Sequence, residues 1–326
     1  MIVSKGASLK ESYFLWPKAK LINFFSSLNL LTSSSHIENI LFKMFPSGYP
    51  VLCSSGRAAL NIALVESKVS RSDLVGVFPY ASHCVLDSIS RVATPLAGAE
   101  SKKSSLRIIY HQWSFIQEKN LNSNSIEDCV DTLCIPGTLL FPGGGSFEIW
   151  SLPKILGTTS GGVLWCKTKE LAESARRTRN IRGGGFFLSI IRLCSIIYPK
   201  AYHYWEGIEA SRGQTSKLQL GEILKAINNW DYIVNDRIRK LNVVWPYAID
   251  FLEQTKGRLP PVVPVFLKNK NQKIESVGIL SGYRMFEKKE NNNFYLQQVI
   301  PIPIHQDVSI KWLEIVIKKL GLKKCT

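Results

Sequence analysis

The residues best suited to chemistry are gathered in Ser151-Leu152-Pro153-Lys154-Ile155-Leu156-Gly157-Thr158-Thr159-Ser160-Gly161-Gly162. A solubilising lysine normally sits among other charges, whereas Lys154 follows Ile149, Trp150, Leu152 and Pro153 and precedes Ile155 and Leu156. Poor solvation favours the uncharged amine, which is the nucleophilic form. A lysine with a packed stem and a snorkelling head shows the same pattern, so both readings stand on this stretch alone. Gly161-Gly162-Val163-Leu164-Trp165 reads as a tight turn feeding an apolar strand, which puts the lysine on a connection between ordered elements. A second group is Ser54-Ser55-Gly56-Arg57, set between the apolar strand Val51-Leu52-Cys53 and a helix from Ala58 to Val65. A strand that runs through a glycine turn into a helix start offers unpaired N–H groups and the positive helix end to an anion; serine at a helix start is also a plain cap.

Such groups need a scaffold, and the chain supplies a repeated strand, turn and helix. Leu74 to Phe78 reads as a buried strand, Pro79 to His83 as a turn, and Cys84 to Val92 as a helix. Arg107 to Tyr110 is the next strand, left by His111, and Ile126 to Val130 follows with Glu127 and Asp128 side by side. Two acids between apolar residues imply one inward carboxylate, costly unless it meets a cation. The alternation predicts an α/β sheet with its ligand site at the carboxyl ends of the strands, where Ser55, His83, His111 and Asp128 fall. Beyond Gly162 come a strand to Cys166, a basic helix from Lys167 to Arg179 and an apolar stretch from Phe186 to Tyr198. Ser216 to about Glu253 reads as one long connecting helix. The end reads as a small α+β unit: strand Val262 to Leu267, helix near Ile274 to Leu280, strand near Val299 to Ile304 and helix Ser309 to Leu320. The expected organisation is a lead-in over 1–50, a large domain over 51–215, and a connecting helix with a small domain over 216–326.

A chain of 326 residues with 45% hydrophobic and 20% charged content has room for a large core. Its net charge of +16 brings nucleic acid, anionic membrane surfaces and phosphorylated small molecules into consideration. Aromatic residues are not interleaved with the lysine-rich pieces at Lys268 to Lys273 and Lys318 to Lys324, which argues against a nucleic-acid groove. Phe186 to Tyr198 is too short to span a bilayer and is interrupted by Arg192; it suits core packing, a subunit contact or weak association with a membrane surface. Seven cysteines without a CxxC pair argue against a disulfide framework and a zinc site and fit a reducing cytoplasm, and Met1 to Tyr13 carries no signal-peptide pattern.

Taken in order, Ser55-Gly56-Arg57-Ala58-Ala59-Leu60, Pro79 to His83, Glu127-Asp128, Ser151-x-x-Lys154 with Gly161-Gly162, Thr215-Ser216-Lys217-Leu218-Gln219 and Ile302-Pro303-Ile304-His305 resemble the DegT/DnrJ/EryC1/StrS family of pyridoxal-phosphate-dependent sugar aminotransferases. The resemblance covers most of the chain from about residue 50. It implies a fold-type-I transferase, with a mixed, mostly parallel sheet flanked by helices in the large domain. Lys154 would bond pyridoxal 5'-phosphate and shuttle a proton, and Asp128 would pair with the pyridine nitrogen. His83 would stack on the ring, and Ser55, Gly56, Arg57 and Ser151 would hold the phosphate, joined by Arg212 reaching across to a partner subunit. A homodimer with shared sites, glutamate as amino donor, a nucleotide-linked keto sugar as acceptor and a role in surface polysaccharide or glycoconjugate synthesis complete the implication. The chain departs from the family's pattern at Asp131, where Gln or His is usual, and in a short connection from His111 to Glu127. Family members that act as dehydratases replace the lysine by histidine, and Lys154 is present. An inactive binding protein on this scaffold and an anionic-surface binder are the readings from other classes.

Overall fold

The computed structural model describes residues 11–27, 29–98, 103–117, 124–184, 186–201, 210–249, 256–266, 274–290 and 293–324. In chain order the elements are α1 (Leu21–Phe25), α2 (Ser34–Met44), β1 (Tyr49–Cys53), α3 (Gly56–Glu66), β2 (Leu74–Val77), α4 (His83–Ser90), β3 (Thr94–Ala97), β4 (Leu106–Tyr110), β5 (Ser125–Asp128), β6 (Leu133–Cys134), β7 (Phe147–Ser151), α5 (Leu152–Leu156), β8 (Gly162–Cys166), α6 (Lys169–Ile181) and α7 (Phe186–Ile197). They continue with α8 (Lys217–Asn228), α9 (Trp230–Val244), β9 (Arg258–Leu259), β10 (Val262–Val265), β11 (Arg284–Glu290), β12 (Asn293–Pro303) and α10 (Ile310–Lys319).

Seven strands form one sheet in the order β1-β8-β7-β5-β4-β2-β3. Every neighbouring pair is parallel except those that β8 makes with β1 and β7, so β8 alone is reversed. The central strands β7 and β8 carry almost unbroken apolar or buried positions, as a sheet covered on both faces requires. On one face Phe45, Trp150, Trp165 and Trp230 meet at ring separations of 5.0 to 5.8 Å, joined by apolar residues of α2, α8 and α9. On the other face α3 is buried from Ala58 through Leu64, between the sheet, α4 and α6. Its one polar core residue, Asn61, is satisfied by donating to Ser88 O at 3.1 Å and accepting from Arg182.

A second sheet, β10-β12-β11, is antiparallel throughout, and the two-stranded pair β6 with β9 links it to the large sheet. The single helix expected from Ser216 is two, because Asn229 leaves helical geometry and caps α8 through its N–H to Ala226 O. The apolar pattern ran through the break since both helices bury residues in the same core. The helix expected near Ile274 is a short 3-10 turn, Ile274–Val277, and the strand expected near Val299 is the end of a longer ribbon paired with β11. The basic run at 268–273 lies outside the described residues. Residues 11–20 run along the C-terminal unit: Tyr13 bridges Ile279, and the Tyr13 ring packs edge-on against Trp312 at 4.9 Å.

Candidate active site

The carboxyl ends of β2, β4, β5 and β7, together with the start of α3, surround a cavity of about 680 Å³. Lys154 enters it from α5, a helix that exists because Pro153 favours the first turn and Gly157, at φ 75°, ends it in the left-handed region. Backbone bonds clamp this turn to its surroundings. Leu152 N–H donates to Gly161 O at 3.1 Å, Gly161 N–H to Ser54 O at 2.9 Å, and Ser151 N–H to Val130 O at 3.2 Å. Thr159 is fixed from α8, where Glu222 accepts from its N–H at 3.0 Å. The lysine turn, the Ser54-Ser55 loop and the strand bearing Asp128 are therefore one rigid unit.

Ser55 caps α3, its Oγ accepting from Ala58 N–H at 3.1 Å, which leaves its hydroxyl hydrogen to be donated. The N–H groups of Gly56 and Arg57 head the helix, where no intrahelical acceptor exists. Glycine is required at 162 by close approach, since a Cβ there would lie 2.3 Å from the Ser55 carbonyl, and Gly56 packs tightly, a Cβ there lying 3.2 Å from Ser151 Cβ. Ser55, Gly56, Arg57, Asp128, Ser151 and Lys154 all line the cavity. Asp128 is buried, accepts from Val130 N–H at 3.2 Å, and burial pushes its carboxyl up to about 6, opposed by Lys154 and reinforced by Asp131. Its neighbour Glu127 turns to the other face, where it accepts from His111 at 2.8 Å and from Gly143 and Gly145 N–H at 2.7 Å each. His111 is thus a structural partner of Glu127 and does not line the cavity.

Besides His111, two of the sequence-predicted residues are not brought in. His83 is the first residue of α4 and is exposed, while Tyr80, Ala81, Ser82, Cys84 and Val85 line the cavity; the helix turns its 84 and 85 positions inward and so turns 83 away. The stacking role expected of His83 has no support in this geometry. Arg212 is exposed beside the α3 start, its carbonyl accepting from the Ser54 hydroxyl, and lies outside the cavity of its own chain. Asp131, where the chain departs from the family's pattern, is fully buried behind the wall and accepts from the Tyr110 hydroxyl at 2.6 Å. Burial raises its carboxyl above the usual range. Between His111 and Ser125 the described residues hold only a 3-10 turn, Gln112–Ser114.

Sequence reasoning missed Trp16, Tyr110, Arg192 and Arg284, all of which line the cavity. Arg192 was read only as an interruption of an apolar stretch. Among the described residues no group of His, Cys, Asp and Glu could hold a metal, and no helix is long and apolar enough to cross a membrane.

A family model described as "Putative PLP-dependent aminotransferase" matches residues 37–312. The chain belongs to this family of PLP-dependent aminotransferases. A comparison with curated proteins finds no match. Among solved structures the aminotransferase is similar to the "Putative sugar aminotransferase Spr1654 from Streptococcus pneumoniae" in its PLP form, at TM-score 0.64 and 12% identity over 96% of this chain and 97% of that one. It is also similar to Helicobacter pylori PseC, described as an aminotransferase involved in the biosynthesis of pseudoaminic acid, at TM-score 0.62 and 12% identity over 96% and 98%. A DegT DnrJ EryC1 StrS aminotransferase from Brucella abortus aligns at TM-score 0.58 and 12% identity over 88% and 89%. At these identities the likeness is one of fold, and it places the aminotransferase in the fold-type-I architecture.

The cavity fits the cofactor. A buried carboxylate short of donors, a half-buried lysine, and a helix start held against Ser151 by a glycine are the complement of a cationic ring nitrogen, an aldehyde and a phosphate.

Proposed function

We propose that the aminotransferase moves an amino group, from glutamate, to a nucleotide-linked keto sugar destined for a surface polysaccharide or glycoconjugate. The observation that carries the reading is the convergence of Lys154, Asp128 and the capped start of α3 on one cavity. The sugar aminotransferases among its structural relatives support the acceptor class.

When bound, pyridoxal phosphate supplies an aldehyde that receives and passes on the amino group and a ring that takes up the electron pair released at the substrate carbon. Lys154 holds the cofactor covalently at rest and afterwards carries the proton removed from the donor carbon. Ionised Asp128 holds the proton on the ring nitrogen, and that cation offsets the burial which raises the Asp128 carboxyl. The N–H groups of Gly56 and Arg57, with the Ser55 and Ser151 hydroxyls, bind the phosphate. Arg57, Arg192 and Arg284 give the cavity an excess of positive charge suited to anionic substrates.

The protein is proposed to act as a cytoplasmic homodimer, with a large domain over 51–215 and a smaller one over 216–326, and with Arg212 reaching the partner subunit's phosphate. Exposed Phe186, Ile190 and Ile197 on α7 support a subunit contact there. The described cysteines are all unpaired, which supports a reducing compartment. Glutamate-dependent amination of UDP- and dTDP-linked keto sugars, followed as 2-oxoglutarate release, tests the reading; no release with any keto sugar refutes it.

A further inference from the structure

Arg284 opens β11, opposite Val299 of β12. It is exposed, lines the cavity, and its guanidinium has no hydrogen bond or ion pair among the described residues. Arg258, Arg179 and Arg182, by contrast, are engaged by Glu148, Glu38 and Asn61. A planar guanidinium with its donors unused fits a carboxylate or phosphate bidentately. Exposure alone would make Arg284 an ordinary surface residue; what sets it apart is how its backbone is held.

β11 is the edge strand of the small sheet, so one side of its backbone has no neighbouring strand. Gln112 takes that place. It is buried, its amide nitrogen donates to Met285 O at 2.9 Å, and its amide oxygen accepts from Glu287 N–H at 3.3 Å, as a paired strand would. The two residues after it lie in the left-handed region without being glycine, Trp113 at φ 52° and Ser114 at φ 72°. Such a turn is strained and persists only where its surroundings impose it. Here the Trp113 ring stacks on Phe286 at 5.5 Å, and the Ser114 hydroxyl donates to Leu259 O at 2.8 Å. The turn begins at His111, whose N–H donates to Asp128 O at 3.0 Å. One short turn therefore fixes the start of β11, with Arg284, to the strand end that carries Asp128. Elsewhere on the wall the Trp16 ring covers Lys154, with Nζ 4.4 Å from the ring centroid, on a segment pinned where Tyr13 N–H donates to Gly278 O at 2.8 Å and the Phe14 carbonyl accepts from His305 Nε2 at 3.0 Å. That side is apolar, so the charge of a substrate is answered by the arginines.

We propose that Arg284 is a specificity-determining residue that binds an oxyanion of a substrate at the edge of the cavity, with Gln112 as the positioning residue that holds it there. An exposed arginine suits a charge remote from the reacting carbon. On the keto-sugar reading, on which this inference rests for the ligand's identity, that charge is the diphosphate of the sugar nucleotide. The carboxylate of the amino donor is the other source of the same chemistry, and the test separates the two.

UDP and dTDP carry the diphosphate and need no turnover, so calorimetry can follow their binding to cofactor-loaded wild type, Arg284→Gln, Arg284→Lys, Gln112→Ala and Gln112→Ala/Arg284→Gln. Arg284→Gln should raise Kd about tenfold, the effect of losing one charge-assisted pair, and Arg284→Lys should restore part of the loss. Added salt should weaken binding to the wild type more than to Arg284→Gln. Gln112→Ala should raise Kd about threefold on its own and add nothing to Arg284→Gln, because a residue that acts only through Arg284 then has nothing to act on. The affinity for glutamate, titrated into the same proteins and read from the cofactor's absorbance, should stay within about twofold. A loss confined to glutamate assigns Arg284 to the donor carboxylate and keeps its anion-binding role. Additive losses in the double variant overturn the role of Gln112, and unchanged affinity for UDP, dTDP and glutamate in Arg284→Gln overturns the proposal. If the wild type binds neither nucleotide, the sugar-nucleotide reading fails, and the glutamate titration still decides Arg284.

Discussion

Replacing Asp128 by asparagine should stabilise the cofactor-free protein while disabling the loaded one. Asp128 is buried, receives one backbone N–H at 3.2 Å, and has its carboxyl raised from 3.8 to about 6 by burial, with Lys154 pulling the other way and Asp131 adding to the rise. A carboxyl raised in the folded state destabilises the fold once it ionises. The cost is absent below the unfolded value near 3.8, grows as pH rises, and is fully present above about 6. The interval between those values corresponds to ~3 kcal/mol at neutral pH. Asparagine can keep the bond from Val130 through its own oxygen and carries no charge to desolvate. After the cofactor is stripped with hydroxylamine, urea unfolding of wild type and Asp128→Asn between pH 4 and pH 8 should show little difference at pH 4. The variant should gain up to ~3 kcal/mol by pH 7. With cofactor restored, the variant should bind it but turn over far more slowly, since an amide cannot hold the ring proton. A stability difference that does not change with pH would refute the assignment of the raised carboxyl to Asp128.

Lys154→Ala should fold normally and lose the borohydride-fixable bond to the cofactor, and peptide mapping of the reduced wild type should find the label on Lys154 alone; a label on another lysine sinks the assignment. Arg258→Met should cost about 3–5 kcal/mol in urea unfolding, because Glu148, paired with Arg258 at 2.9 Å and fully buried, is left as an uncompensated charge. Arg212→Ala should weaken cofactor binding and make dimer formation depend more steeply on cofactor concentration, as light scattering during cofactor titration will show; identical titrations in both proteins rule the cross-subunit contact out.

Five of the large sheet's seven strands, β1, β2, β4, β5 and β8, were legible as short, mostly apolar runs, whereas β3 and β7 were not marked as strands. The Lys154 turn was legible for a related reason: a charge inside an apolar run is rare enough to ask for a partner. Glu148, between Phe147 and Ile149, sent the same signal and went unread; its partner Arg258 is 110 residues away, and only the tertiary fold pairs them. β11 was missed because Arg284 to Glu290 shows no apolar alternation, its strand character coming from backbone pairing with β12. His83 took its stacking role from the resemblance alone; α4 starts at His83, one position before the expected Cys84, and it is Cys84 and Val85 that line the cavity. Trp16 had no local signature, since Lys154 and the backbone anchors of its segment, Gly278, Leu280, His305 and Asp307, all lie beyond residue 150.

That last circumstance sets an order of events during synthesis on the ribosome. Glu11 to Lys20 are made well before their anchors at Gly278, Leu280, His305, Asp307 and Trp312, which follow the whole large sheet. The large sheet, complete by Cys166, can form while translation continues. Its pocket must then stand open on the side that Trp16 will cover, with Lys154 reachable from solution. A nascent chain therefore exposes Lys154 before Trp16 can cover it, and that side closes only once the C-terminal unit has been made.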